Sequence, residues 1–124
     1  MKYEFLILGS NSFSGSNFIK YLVQKNCGVI GISRSKKKKE LFFSLSKNKE
    51  KFFLFKKLNI NNDQKKILKL INKYKPKYVI NFAAQGMVNE SWKEPLQWYQ
   101  TNLMSMIALI ESLKNKKFIK KFIQ

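Results

Sequence analysis

Tyr3-Glu4-Phe5-Leu6-Ile7-Leu8 runs directly into Gly9-Ser10-Asn11-Ser12-Phe13-Ser14-Gly15, and this stretch decides the fold. The first six residues have the pattern of a buried strand, the glycine-bounded segment that of a turn, and the residues after it that of a helix. Backbone N–H groups and a helix N-terminus then converge on one point, which suits a pyrophosphate. The spacing Gly9-x-x-Ser12-x-x-Gly15 has the context a dinucleotide cradle needs: a strand before it, a helix after it, and about 20 residues to the end of the next strand. A purely structural turn is the alternative. A second segment, Asn81-Phe82-Ala83-Ala84-Gln85, closes a later strand, and its small alanines would let a cofactor lie flat against the backbone.

Outward from that stretch, residues 13–25 are predicted helical, with Phe18, Ile19, Leu22 and Val23 inward. Residues 28–33 form a second strand. Residues 38–46 carry Leu41, Phe42 and Leu45 at helical spacing, and residues 52–58 return to strand composition. Ile67, Leu68 and Ile71 mark a helix over residues 63–74, with Asn61-Asn62 as its N-cap and Pro76 as its stop. Residues 78–82 are a fourth strand. Pro95 starts a long helix to about Leu113, with Leu103, Met106, Ile107, Ile110 and Leu113 on its core face, and residues 118–124 begin a fifth strand. Strands alternating with helices imply parallel pairing, hence an α/β, doubly wound parallel sheet of order 3-2-1-4-5. Residues 1–124 constitute one domain, and the apolar run reaching Gln124 leads us to expect an incomplete one, with the binding half present and the reacting half absent.

Composition removes several reaction classes. Cys27 is the only cysteine and histidine is absent, so an internal disulfide, a zinc cluster and a histidine-based triad are excluded, and no metal site is expected. Glu90 and Glu94 are the one close carboxylate pair and read as flanking a turn. Twenty-five Lys and Arg against seven Asp and Glu give a formal charge of +18. That charge suggests non-specific phosphate binding, and a basic nucleic-acid-binding protein is one alternative reading. Arg34 is the sole arginine, however, and the lysines are dispersed along the chain, so no specific nucleic-acid partner is expected. No apolar run approaches the roughly 20 residues of a membrane span, and the N-terminus has no signal pattern, so a cytoplasmic protein without a membrane partner is expected.

The segment Ala83-Ala84-Gln85-Gly86-Met87-Val88-Asn89-Glu90-Ser91-Trp92-Lys93-Glu94-Pro95 has the spacing A-A-x-x-x-V-x-x-S-x-x-x-P. With Thr101-Asn102, Leu109-Ile110-Glu111 and the glycine turn in register, the chain resembles the extended short-chain dehydrogenase/reductases. Within them it is similar to the NAD(P)-dependent epimerase/dehydratase family, nearest the nucleotide-sugar 4,6-dehydratases of dTDP-glucose or GDP-mannose type. Four positions depart from the family's pattern: Ser12 for glycine, where a positive φ would be costly, Asn59 for aspartate, Met87 for histidine, and Ser105 for glycine.

The resemblance implies a Rossmann-like NAD(P)-binding fold in which Gly9, Ser12, Phe13, Ser14 and Gly15 hold the pyrophosphate. Ser33 and Arg34, with no acid beside them, suit the 2′-phosphate of NADP; NAD remains open if Arg34 only stacks on adenine. It places adenine against Asn59 and Ile60, with a helix cap as the alternative role of the neighbouring Asn61 and Asn62. Phe82, Ala83, Ala84, Gln85 and Asn102 fall to the nicotinamide side, and Val88 and Ser91 to a nucleotide-sugar substrate. The complete protein would be a homodimeric lyase or epimerase. Its catalytic Ser/Thr and Tyr-x-x-x-Lys would follow the fifth strand, so no catalytic residue is assigned here and these 124 residues are expected to be inactive alone. Tyr21-Leu22-Val23-Gln24-Lys25 fits Tyr-x-x-x-Lys but lies in the first helix, where it is refused a catalytic role. A non-catalytic cofactor-binding or regulatory subunit is the remaining alternative.

Overall fold

The computed structural model describes residues 1–42 and 44–124. Five strands, β1 (Tyr3–Leu8), β2 (Gly28–Ser33), β3 (Phe53–Lys57), β4 (Tyr78–Asn81) and β5 (Lys121–Ile123), form one sheet in the order β3-β2-β1-β4-β5. Every neighbouring pair is parallel, with Leu6 opposite Ile30 on one side and Val79 on the other. Sequence reasoning expected this order.

Both faces of the sheet are covered, which is why its central strands read as unbroken apolar runs. Leu6, Leu8, Ile30, Ile32 and Val79 point to one face and pack with Ile67 and Ile71 of α3 (Gln64–Tyr74) and Met106, Leu109 and Leu113 of α6 (Ser105–Leu113). Ile7, Val29 and Ile80 point to the other, where Ile19, Leu22 and Val23 of α1 (Phe13–Gln24) cover them.

Four local expectations are corrected. The helix expected over residues 38–46 is a 3₁₀ turn, Lys39–Phe42, followed by a short α2 (Lys47–Glu50); Phe42 and Leu45 are nevertheless buried, and position 43 lies outside the described residues. The N-cap position of α3 is Asp63, not Asn61 or Asn62, because the Asn61 side chain is drawn away to Thr101 and Ser105. The helix expected from Pro95 to Leu113 runs unbroken but changes pitch, as α5 (Pro95–Tyr99), a π segment (Gln100–Met104) and α6, and an unexpected short helix, α4 (Val88–Lys93), precedes it. The wider π turn shifts the helical phase. In consequence Thr101, Ser105, Met106, Leu109 and Leu113 face inward, while Leu103, Ile107 and Ile110, expected in the core, are exposed.

Candidate functional site

The chain passes from β1 to β2 to β3 on one side of the sheet and returns to the other side for β4, so the strand order reverses beside β1. The carboxyl ends of the strands open there into a crevice, the place where ligands of such sheets bind. A cleft of about 270 Å³ occupies it, bounded by Gly9, Asn11 and Ser12, by residues 32–35 and Lys38, by residues 58–61, and by residues 82–85 with Thr101.

The floor is the glycine turn. Gly9 has φ +78°, and a Cβ there would stand 2.5 Å from the Ala83 backbone nitrogen, so only glycine lets the turn lie against the end of β4. Gly15 begins its approach in the same way: a Cβ would meet the Gly9 carbonyl oxygen and lie 2.8 Å from Ser12 Oγ. Ser12 has φ −72°, so the strain expected of a serine here does not arise. Its hydroxyl caps α1 by accepting from Gly15 N–H at 3.0 Å. The N–H groups of Phe13 and Ser14, in the first turn of α1, precede any intrahelical acceptor and are the donors a bound anion would meet. Neither side chain reaches the cleft; Phe13 is exposed.

At the second wall, Ser33, Arg34, Ser35 and Lys38 gather at the carboxyl end of β2 and give the cleft a positive rim. The third wall is ordered by its own side chains. Asn59 Oδ1 accepts from Asn61 N–H at 2.8 Å, and Asp63 Oδ2 accepts from Asn59 N–H at 2.9 Å. The Asn59 backbone bond first, and Lys66 second, hold the Asp63 carboxyl below the usual aspartate range. The side-chain oxygen of Asn59, expected to meet adenine, is thus already engaged in shaping the loop. Asn61 Nδ2 donates to Thr101 Oγ1 at 3.0 Å and Ser105 Oγ donates to Asn61 Oδ1 at 2.6 Å. Ser105, a departure from the family glycine, therefore ties the third wall to α6.

On the fourth wall, the buried Asn81 turns the chain out of β4 by accepting from Ala83 N–H at 2.9 Å. Asn102 does not line the cleft. Its amide clamps the Gln85 backbone from both sides, accepting from Gln85 N–H at 2.8 Å and donating to its carbonyl at 2.9 Å. Val88 and Ser91 also stand outside: Val88 is exposed on α4, and Ser91 lines a separate aromatic trough with Trp92, Pro95, Trp98 and Tyr99. Tyr21 is exposed on α1 with Lys25 Nζ 5.9 Å from its ring centre, and neither borders the cleft. Glu90 and Glu94 share a shallow recess with Arg34, Gln85, Gln97 and Trp98. Among the described residues no cluster of His, Cys, Asp or Glu could hold a metal, and no helix is long and apolar enough to cross a membrane.

Sequence reasoning missed Asn11, Lys38 and Thr101 as residues of this cleft. Their types are ordinary for turns, lysine runs and helices, and only the contacts between distant segments single them out.

The family model described as GDP-mannose 4,6 dehydratase matches residues 6–124. The dTDP-glucose 4,6-dehydratase of Xanthomonas campestris pv. campestris is 27% identical over 110 residues, covering 89% of this chain and 31% of that one. The UDP-glucose 4-epimerase of Thermotoga maritima, solved with UDP-glucose, superposes with a TM-score of 0.79 at 27% identity, over 95% of this chain and 36% of that one. The UDP-glucose 4-epimerase of Thermus thermophilus, solved in complex with NAD, shares the fold with a TM-score of 0.74 at 21% identity, over 90% of this chain and 34% of that one. The chain spans about a third of the length of these relatives.

Proposed function

Since the chain belongs to the GDP-mannose 4,6 dehydratase family, we infer that it forms the dinucleotide-binding part of an enzyme that acts on a nucleotide-sugar, as a 4,6-dehydratase or a 4-epimerase. The observation that carries this reading is the single cleft running from the glycine turn to residues 82–85 at the point where the strand order reverses. The close backbone approaches at Gly9 and Gly15 seat the start of α1 against the turn and the turn against the end of β4, which fits a dinucleotide whose pyrophosphate takes the N–H groups of Phe13 and Ser14. When bound, the cofactor supplies a hydride acceptor and donor for chemistry on the sugar. The residues of this chain bind and orient it: the turn holds the pyrophosphate, residues 59–60 flank the adenine, and residues 83–85 lie along the nicotinamide-side ribose.

NADP is the preferred cofactor in this reading. Arg34 offers a planar fork and Ser33, Ser35 and Lys38 add donors, while among the described residues no carboxylate borders the cleft to accept from the two ribose hydroxyls of NAD. Calorimetric titration of the chain should give tighter binding of NADP than of NAD, and Arg34→Asp should reverse the order. Equal affinities before and after the substitution would remove Arg34 from this role. The same chain should turn over neither dTDP-glucose nor GDP-mannose. Tyr21 and Lys25 lie away from the cleft, and missing acid/base assistance alone is worth about 10²–10⁴ in rate. A 4-keto product whose formation is lost on Tyr21→Phe would overturn that expectation.

A further inference from the structure

We propose that Asn11 is a positioning residue for cofactor selection: it fixes residues 35–38 beside the phosphate turn so that Ser35 and Lys38, with Arg34, act together on a 2′-phosphate. This deepens the dinucleotide reading above and rests on it.

Asn11 sits in the turn between β1 and α1, only 9% exposed, and its amide reaches across to the segment that follows β2. Nδ2 donates to Ser35 Oγ and to the Lys36 carbonyl, each at 2.8 Å, and Oδ1 accepts from Lys38 N–H at 3.3 Å. One side chain thus holds three points, at residues 35, 36 and 38, of a loop 24 to 27 residues away. That loop is the start of Lys36-Lys37-Lys38-Lys39, four like charges whose mutual repulsion favours a splayed, solvated conformation. The bonds to Asn11 oppose it.

The direction of these bonds matters as much as their number. A serine hydroxyl has one proton and two lone pairs. Because Ser35 Oγ accepts from Asn11, its own proton is free to be donated to an anion in the cleft. Lys38, held through its backbone N–H, borders the same cleft with Arg34 and Ser35. A phosphate at this point would meet a guanidinium fork, a hydroxyl donor and an ammonium group. The free 2′- and 3′-hydroxyls of NAD need an acceptor instead, and gain little from the arrangement. The selectivity therefore depends on a residue that need not touch the cofactor.

The test is calorimetric titration of the full chain and its Asn11→Ala variant with NADP and with NAD at one salt concentration. Loss of the amide should weaken NADP by about tenfold, the size of one or two ordinary hydrogen bonds, and change NAD by less than about twofold. Ser35→Ala should weaken NADP in the parent chain and have a smaller effect when combined with Asn11→Ala, since the two act through one bond. Asn11→Ser, too short to span both partners, is run beside it and carries the test if the alanine variant does not fold cooperatively. Equal weakening of both cofactors, or an unchanged NADP/NAD ratio, would overturn the role of Asn11. A parent chain that binds neither dinucleotide would instead overturn the reading on which it rests.

Discussion

Gly15 shows how much of the site is decided by a single missing atom group. With valine there, the branched side chain would drive into the Gly9 carbonyl and Ser12 Oγ, separating α1 from the turn. Gly15→Val should cost about 1–3 kcal/mol of stability, as overpacking does, and abolish dinucleotide binding. Calorimetry beside urea unfolding checks both, and unchanged binding would place the ligand elsewhere. Ser12→Gly should cost only a few tenths of a kcal/mol, because glycine is a tolerable N-cap. At this scale the sequence is readable where the residue type is itself unusual, as at Gly9 and Gly15. Ser12 invites concern over backbone strain, yet an N-cap needs only extended backbone and a hydroxyl, which serine has. Asn11 is not readable, since its meaning lies in partners from another loop.

Among the elements, the β3–α3 connection is where charge and geometry meet. The depressed pKa of Asp63 means that its carboxylate stabilises the fold above the unfolded-state value of about 4 and that this contribution is lost as pH falls through the lower folded-state value. Glu4, paired with Lys77 at 2.6 Å, acts with the same sign. Asp63→Asn should therefore lower stability at neutral pH, make the acid limb of the stability profile shallower, and weaken cofactor binding by loosening Asn59. Urea midpoints measured from neutral pH downward test it, and identical slopes for the two chains would remove Asp63 from this role. The helix after Pro95 was legible in extent but not in facing. Its apolar residues occur at both i+3 and i+4 intervals, so periodicity alone could not show that a π segment would turn Leu103, Ile107 and Ile110 outward and bring Thr101 and Ser105 in. The polar bonds of Asn61 to Thr101 and Ser105 fix that choice.

For the molecule as a whole, the strand order was legible because alternating strands and helices allow few parallel topologies, whereas the surface it leaves uncovered was not. Leu96, Leu103, Ile107 and Ile110 form an exposed apolar stripe along α5, the π segment and α6. We propose that the homodimer expected of the complete protein would bury these side chains, since contiguous exposed apolar surface marks contact sites. Leu103→Lys with Ile107→Lys should shift the complete protein towards monomer in sedimentation measurements, and an unaltered distribution would overturn the stripe as the contact. The sheet's order also has a consequence for how the protein is made. β1 is synthesised first yet ends in the middle, with Phe5 paired to Tyr78. On the ribosome, which adds about 5–20 residues per second, β1 can take β2 as a neighbour early, but its other edge stays bare until residues 78–81 have emerged. During that wait the nascent chain presents an unpaired apolar strand, the kind of edge to which chaperones and other nascent chains attach. A chain ending at residue 75 should accordingly aggregate under conditions in which residues 1–124 stay in solution, and equal solubility of the two would show that β1 needs no such protection.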